Sequence, residues 1–187
     1  MEFQEKKQDL TYKRGIYIYG NPGTDPKQYL GLASRYSSLS AGNAQNIISA
    51  GGSGSDNTSI YLVVWGENTA FCTFPKGAKA GLTHEDMGVL TVYDSNNNPY
   101  QAYQTHYQWK NGLCVKDWRY VVRICNIDVS DLGTLANTKN LVGWMIQAAE
   151  RIPNFGMGRA VFYANRTIRE KLRLGILEKV VAQLNFD

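Results

Sequence analysis

Tyr100-Gln101-Ala102-Tyr103-Gln104-Thr105-His106-Tyr107-Gln108-Trp109 is the stretch that decides the fold class. Side chains alternate across a strand, so Tyr103, Tyr107 and Trp109 share one face, while Tyr100, Ala102, Gln104, His106 and Gln108 share the other. Residues 89–93 are a second β-prone run. The polar Asp94-Ser95-Asn96-Asn97-Asn98-Pro99 between the two predicts a hairpin. Working outward, residues 60–66 and 69–74 flank Gly66-Glu67-Asn68 and predict another hairpin. Residues 113–125 predict one long strand or two, with Trp118, Tyr120, Val122 and Ile124 on one side.

The flanks differ from this sheet-rich middle. Residues 1–15 are charged and read as an extension or a frayed helix, and Ile16-Tyr17-Ile18-Tyr19 as a short β-prone run closed by the turn Gly20-Asn21-Pro22-Gly23. Asp25-Pro26 offers a helix cap with Pro in the first turn, predicting a short helix over residues 27–35. Residues 37–58 are rich in Ser, Gly and Asn and read as a long, mobile surface loop, with Gly51-Gly52-Ser53-Gly54-Ser55 a flexible linker. Toward the C-terminus, Asn126-Ile127-Asp128-Val129-Ser130-Asp131-Leu132 reads as a capped turn. Leu141, Met145, Ala148 and Ile152 recur at helical spacing and predict an amphipathic helix that Pro153 stops. Residues 160–164 read as a buried strand. Asn165 or Thr167 caps a second helix with a stripe of Ile168, Leu172, Ile176, Val180 and Leu184. The fold class is α+β with long loops, and no repeat or composition break divides the chain.

Composition narrows the function. The chain has 187 residues, 43% hydrophobic and 12% aromatic, enough to bury a core. Lys plus Arg is 20 against 16 Asp plus Glu, a net +4 that is too small a surplus to announce a nucleic-acid binder. The N-terminus lacks the apolar segment of a secretory signal, and residues 60–65 and 161–164 fall far short of the ~20 apolar residues that span a bilayer. Cys72, Cys114 and Cys125 form no CxxC pair and sit in apolar stretches, as free thiols in a reducing cytoplasm do.

Chemical motifs are sparse. His84-Glu85-Asp86 does not match the spacing of a metal site and reads as a solvated loop or helix cap; His106 lies on an alternating strand. A hydrolase would have only His84, Glu85, Asp86 and His106 to draw on, and there is no GxSxG elbow. The glycine run at 51–55 is not followed by the Lys-Ser/Thr of a phosphate loop. No catalytic, cofactor-binding or metal residues are assigned. Arg166, Arg169 and Arg173 recur every three or four residues on the last helix. With Arg119 and Arg123 they are the candidate subunit-interface residues, because Arg is enriched at interfaces and pairs bidentately with carboxylates. The alternative is a β-rich ligand- or glycan-binding module with Tyr103, Tyr107, Trp109 and Trp118 as a stacking face. Against it stands an ordinary aromatic core, since strand aromatics usually pack inward.

Several ordered segments carry a family resemblance: Ser49-Ala50-Gly51-Gly52-Ser53-Gly54-Ser55-Asp56-Asn57-Thr58-Ser59-Ile60, Leu62-Val63-Val64-Trp65-Gly66, Phe74-Pro75-Lys76-Gly77, Gly81-Leu82-Thr83-His84-Glu85-Asp86, residues 103–109, Gly112-Leu113, Asp117-Trp118-Arg119-Tyr120-Val121-Val122-Arg123-Ile124 and residues 126–132. Together, over about residues 15–175, they resemble the major capsid protein of short-tailed phages related to epsilon-fifteen, also found in prophages. The resemblance implies the Hong Kong 97-type capsid fold, here the A-domain and part of the P-domain, a mixed sheet with helices and long loops. It implies no enzyme and no cofactor. The implied partners are copies of the chain, in hexamers and pentamers that build an icosahedral shell. Scaffolding or decoration proteins are further implied partners, double-stranded DNA is met by proximity only, and no membrane is involved. The implied location is the virion, after folding in the bacterial host cytoplasm. Members of the family are longer than this chain. The expectation is therefore a fragment, one domain over residues 1–187 without the N-terminal arm, the E-loop and the long helix.

Overall fold

Nine consecutive residues, Asn57–Trp65, form strand β2, and five of them (Ile60, Tyr61, Leu62, Val63, Val64) are buried on alternate faces. A strand apolar on both faces must be covered twice, and the surrounding elements do that. The computed structural model describes residues 18–26, 28–77, 81–133 and 135–184. In chain order these contain α1 (Leu32–Arg35), β1 (Ile47–Ser49), β2, β3 (Ala70–Thr73), β4 (Leu82–Tyr93), β5 (Pro99–Trp109), β6 (Gly112–Val115), β7 (Val121–Asp128), α2 (Leu135–Glu150), β8 (Arg159–Tyr163) and α3 (Arg166–Leu184). Two compact units result, Met1–Phe71 with Val115–Asp187, and Cys72–Cys114.

In the larger unit β7 lies antiparallel to β2, β1 runs parallel to β7, and β8 lies antiparallel along β2. Ile60, Leu62 and Val64 of β2, with Val122 and Ile124 of β7, pack against Leu141, Ala148 and Ile152 from the α2 region and Ile168 of α3. Burying each such side chain is worth about 1.5–3 kcal/mol. Asn165 caps α3, its Oδ1 accepting the Ile168 N–H at 2.8 Å, and its Nδ2 donates to Thr58 Oγ1 at 3.1 Å, fixing the helix start to β2. α2 ends at Glu150, before Pro153.

The opposite face is closed by residues 29–50 through polar clamps. Asn46 is buried, and its Nδ2 donates to the carbonyls of Arg119 (2.9 Å), Val121 (3.0 Å) and Trp118 (3.3 Å). Tyr36 Oη donates to the Trp118 carbonyl at 2.8 Å. Arg123 Nη1 donates to the Tyr36 carbonyl at 2.7 Å and to the Ala33 carbonyl at 3.3 Å, so a guanidinium holds the end of α1. It also lies 5.6 Å from the centre of the Tyr61 ring.

Several sequence expectations are corrected. The helix expected over 27–35 is confined to α1, and Asp25-Pro26 open a turn instead, closed by the Gln28 N–H on the Asp25 carbonyl. Ile18 and Tyr19 are helical, whereas residues 1–17 lie outside the described residues. The stretch 37–58 is not all loop: it holds β1 and the start of β2, and Ile47 and Ile48 are buried. The glycine run is no free linker either, since Gly52 N–H donates to the Asn126 carbonyl and a Cβ there would meet that oxygen at 2.6 Å. The hairpin expected from 60–66 and 69–74 does not form. β2 and β3 meet only at the parallel bridge between Trp65 and Ala70, because the long edges of β2 are taken by β7 and β8. β8 is an exposed strand rather than a buried one. Residues 113–125 are two strands, β6 and β7, joined by a 3-10 turn at Trp118–Tyr120, and β7 runs on to Asp128 where a turn was expected.

The clamp gives two predictions. Asn46→Ala strands three carbonyls and is expected to lower unfolding free energy by about 1–3 kcal/mol in urea titrations. The buried hydroxyls behave differently. Tyr61 Oη has no hydrogen-bond partner among the described residues, and burial pushes its pKa from 10.0 up to about 12, against the pull of the Arg123 cation. A phenol raised in the folded state contributes stability that is full below its unfolded pKa and is lost as pH rises through the folded one. Tyr61→Phe should thus leave neutral stability unchanged or higher and flatten the fall in stability above pH ~10. Tyr36→Phe should cost about 1 kcal/mol at neutral pH, through its lost bond to Trp118. Denaturation series across pH separate the two.

Candidate functional site

The smaller unit is a two-stranded antiparallel hairpin, β4 with β5. Pairs run from Leu82 opposite Trp109 to Tyr93 opposite Pro99, with a bulge between Asp86 and Val89. Gly88 takes φ +69 there, and its N–H donates to Asp86 Oδ1 at 2.9 Å. At the tip, Asp94 Oδ1 accepts the N–H groups of Asn96 and Asn98, both at 2.8 Å. The hydrogen bonds from Asn98 hold the Asp94 carboxyl below its usual range. Asn97, at φ 67, supplies the left-handed step of the turn.

The bulge keeps one long face in register. Val89 and Tyr93 lie on the face of Tyr103, Thr105, Tyr107 and Trp109, together with Leu82, His84 and Asp86. Tyr103 is 86% exposed, Tyr93 63%, Val89 51% and Tyr107 47%, so an apolar, aromatic stripe faces solvent along this side. The expectation of an ordinary aromatic core is therefore overturned for these residues. Alternation identifies a shared face, but only a second layer turns a face into a core, and no second layer belongs to this unit among the described residues. A two-stranded hairpin without a covering layer is marginal in water.

His84, Glu85 and Asp86 lie on β4, not in a loop or a cap. Strand alternation puts Glu85, opposite His106, on the other face from His84, which stands opposite Tyr107 with ring centres 5.0 Å apart. Among the described residues no group of three or more His, Cys, Asp or Glu could hold a metal ion. Trp118, grouped with the hairpin aromatics in the sequence, belongs to the other unit.

The five candidate arginines do not form one cluster. Arg123 is half-buried on β7 and its guanidinium is committed within the chain to Ala33, Tyr36 and Ser59. Arg119 is exposed and forks onto Asp117, with Nη2 to Oδ2 at 2.7 Å and Nε to Oδ1 at 3.0 Å. This pairing lowers the Asp117 pKa. Arg166, Arg169 and Arg173 lie exposed in one stripe of α3, on the helix-covered side of the sheet, opposite the side where Arg123 clamps α1. Their spacing, legible in the sequence, is kept. The exposure of Val89 and Tyr93 beside the hairpin tyrosines was not legible, because the polar run 83–86 hides the strand that carries them.

An α+β body whose most conspicuous surface is an uncovered apolar hairpin belongs to the class of proteins that work by contact with other chains. Residues 12–187 match the family described as major capsid protein GP7, and the chain belongs to that family. No curated protein matches it. The mixed sheet with its few helices is a phage capsid fold, and the protein is a structural protein of the virion. No described helix is long and apolar enough to cross a membrane.

Because Tyr103 touches so little of its own chain, Tyr103→Ser should change unfolding free energy by no more than about 0.5 kcal/mol. Chemical denaturation of the monomeric chain is the check, and a larger loss would show that the stripe is internally packed.

Proposed function

We propose that copies of this chain associate into hexamers and pentamers that build an icosahedral shell around double-stranded DNA, in a short-tailed phage of the epsilon-fifteen type or a prophage of that kind. The observation that carries the reading is the exposed apolar face of the β4–β5 hairpin, which has no covering layer in its own unit. On this reading the hairpin is the extended loop of the shell fold, present although the chain is short, and it gains its missing layer by lying on a neighbouring copy. Burial of Tyr93, Tyr103, Tyr107 and Val89 supplies the favourable term. Arg166, Arg169 and Arg173 supply charge-paired contacts at the same or another seam. Arg119 and Arg123, already engaged with Asp117 and with α1, act chiefly within the subunit. The subunit works by self-association and not by catalysis, folds in the host cytoplasm, and meets DNA by enclosure; scaffolding or decoration proteins are compatible partners.

The exposed tyrosines also suit a stacking surface for a glycan, the second reading. Size exclusion with light scattering, followed by negative-stain microscopy and a glycan array, separates the two. Assembly into rings or particles with no glycan bound supports the shell subunit. A monomer at all concentrations that binds glycans supports the module. In assembling material, Arg169→Glu is expected to abolish the higher oligomers while leaving the far-UV spectrum and unfolding midpoint of the monomer unchanged. Undiminished assembly would remove Arg169 from the contact.

A further inference from the structure

β8 is an edge strand with none of the usual protection. Its register with β2 runs without a shift from Tyr61 opposite Tyr163 to Trp65 opposite Arg159, and β2 is its one strand partner among the described residues. Exposed sheet edges are normally blunted by a bulge, a proline, a lysine or a covering segment, because a row of unpaired backbone groups recruits another strand. Arg159-Ala160-Val161-Phe162-Tyr163 contains no Pro, no Lys and no bulge, and four of its five residues are exposed. The far edge of the same sheet is treated differently. There Arg151 Nη1 donates to the carbonyls of Gln45 and Ile47, so a side chain occupies acceptors beside β1.

The edge is also rigid. Trp65 Nε1 donates to Tyr163 Oη at 2.8 Å, and the two rings meet edge to face at 6.4 Å, which fixes Tyr163 at the outer strand. Gly158 lets the chain enter β8 against the Trp65 carbonyl, where a Cβ would collide.

We propose that β8 is a contact strand on a two-fold axis: its open edge pairs antiparallel with β8 of a second copy, centred on Val161. The occupant follows from the strand itself, because that one register is self-complementary. With Val161 opposite Val161, Phe162 falls opposite Ala160 of the second copy, large against small on one face. Arg159 falls opposite Tyr163 of the second copy, a cation beside an aromatic ring on the other face. An isologous contact requires such self-complementarity. The inference rests on the self-association proposed above, but on a surface separate from the hairpin stripe.

The test is thiol cross-linking of the full chain carrying Cys72→Ser and Cys114→Ser. Val161→Cys, oxidised or treated with a short bis-maleimide, is expected to give a covalent dimer. Arg159→Cys and Tyr163→Cys should each give little alone and cross-link when combined. Leu174→Cys, exposed on α3, is the control. In a second measurement Ala160→Lys, which crowds Phe162 of the second copy and adds like charges to the edge, should weaken the dimer at least about tenfold without moving the unfolding midpoint of the monomer. Assembling material in which position 161 does not cross-link above the Leu174→Cys control, and which tolerates Ala160→Lys, overturns this contact and leaves the association reading standing. A chain that remains monomeric at every concentration overturns both.

Discussion

Everything in the larger unit follows from strand β2 having to be covered on both faces. Ile60, Leu62 and Val64 face one way and Tyr61 and Val63 the other, all buried. Helices α2 and α3 close the first face with apolar side chains, so that layer is held by area. The second face is closed by a segment too poor in large apolar groups to be held that way. It is fastened instead by Asn46, Tyr36 and Arg123, which satisfy carbonyls of the turn before β7 and of α1. Buried carbonyls need partners, and the same bonds that satisfy them seat the segment.

The hairpin obeys the opposite rule. Its backbone is satisfied by pairing and its tip is fixed by Asp94, yet its apolar face has nothing of its own unit to rest on. Such an element is poorly stable alone and gains most from a neighbour, which suits a subunit whose family builds shells. Internal commitment decides which side chains can serve outside. Arg123 is held by its own chain, whereas Arg166, Arg169 and Arg173 stand along α3 facing solvent.

Much of the fold was legible where local rules act alone. The Asp94–Pro99 tip, the Pro153 stop, the Asn165 cap and the apolar run of β2 all rest on backbone chemistry within a few residues. β1 was not legible, because a Ser- and Gly-rich stretch becomes a strand only when β7 offers it a parallel edge. β8 was taken for a buried strand on its apolar content, but its position at the edge of the sheet, not its composition, leaves it exposed. The candidate surface was half legible: period two grouped the tyrosines, but their exposure depended on whether a second layer exists.

The sequence by itself determined the α+β class, the hairpin and its tip, the two late helices and the family of shell proteins, because turn chemistry, helical period and ordered motifs are properties of neighbouring residues. Only the tertiary structure decided which faces are buried, that Arg123 is a clamp and not a contact, and that β1 and β8 are strands of one sheet with unequal edges. Burial and pairing are set by residues sixty or more positions apart, as in the Arg123 bond to Ser59 and the Tyr36 bond to Trp118. No local rule reaches across that separation.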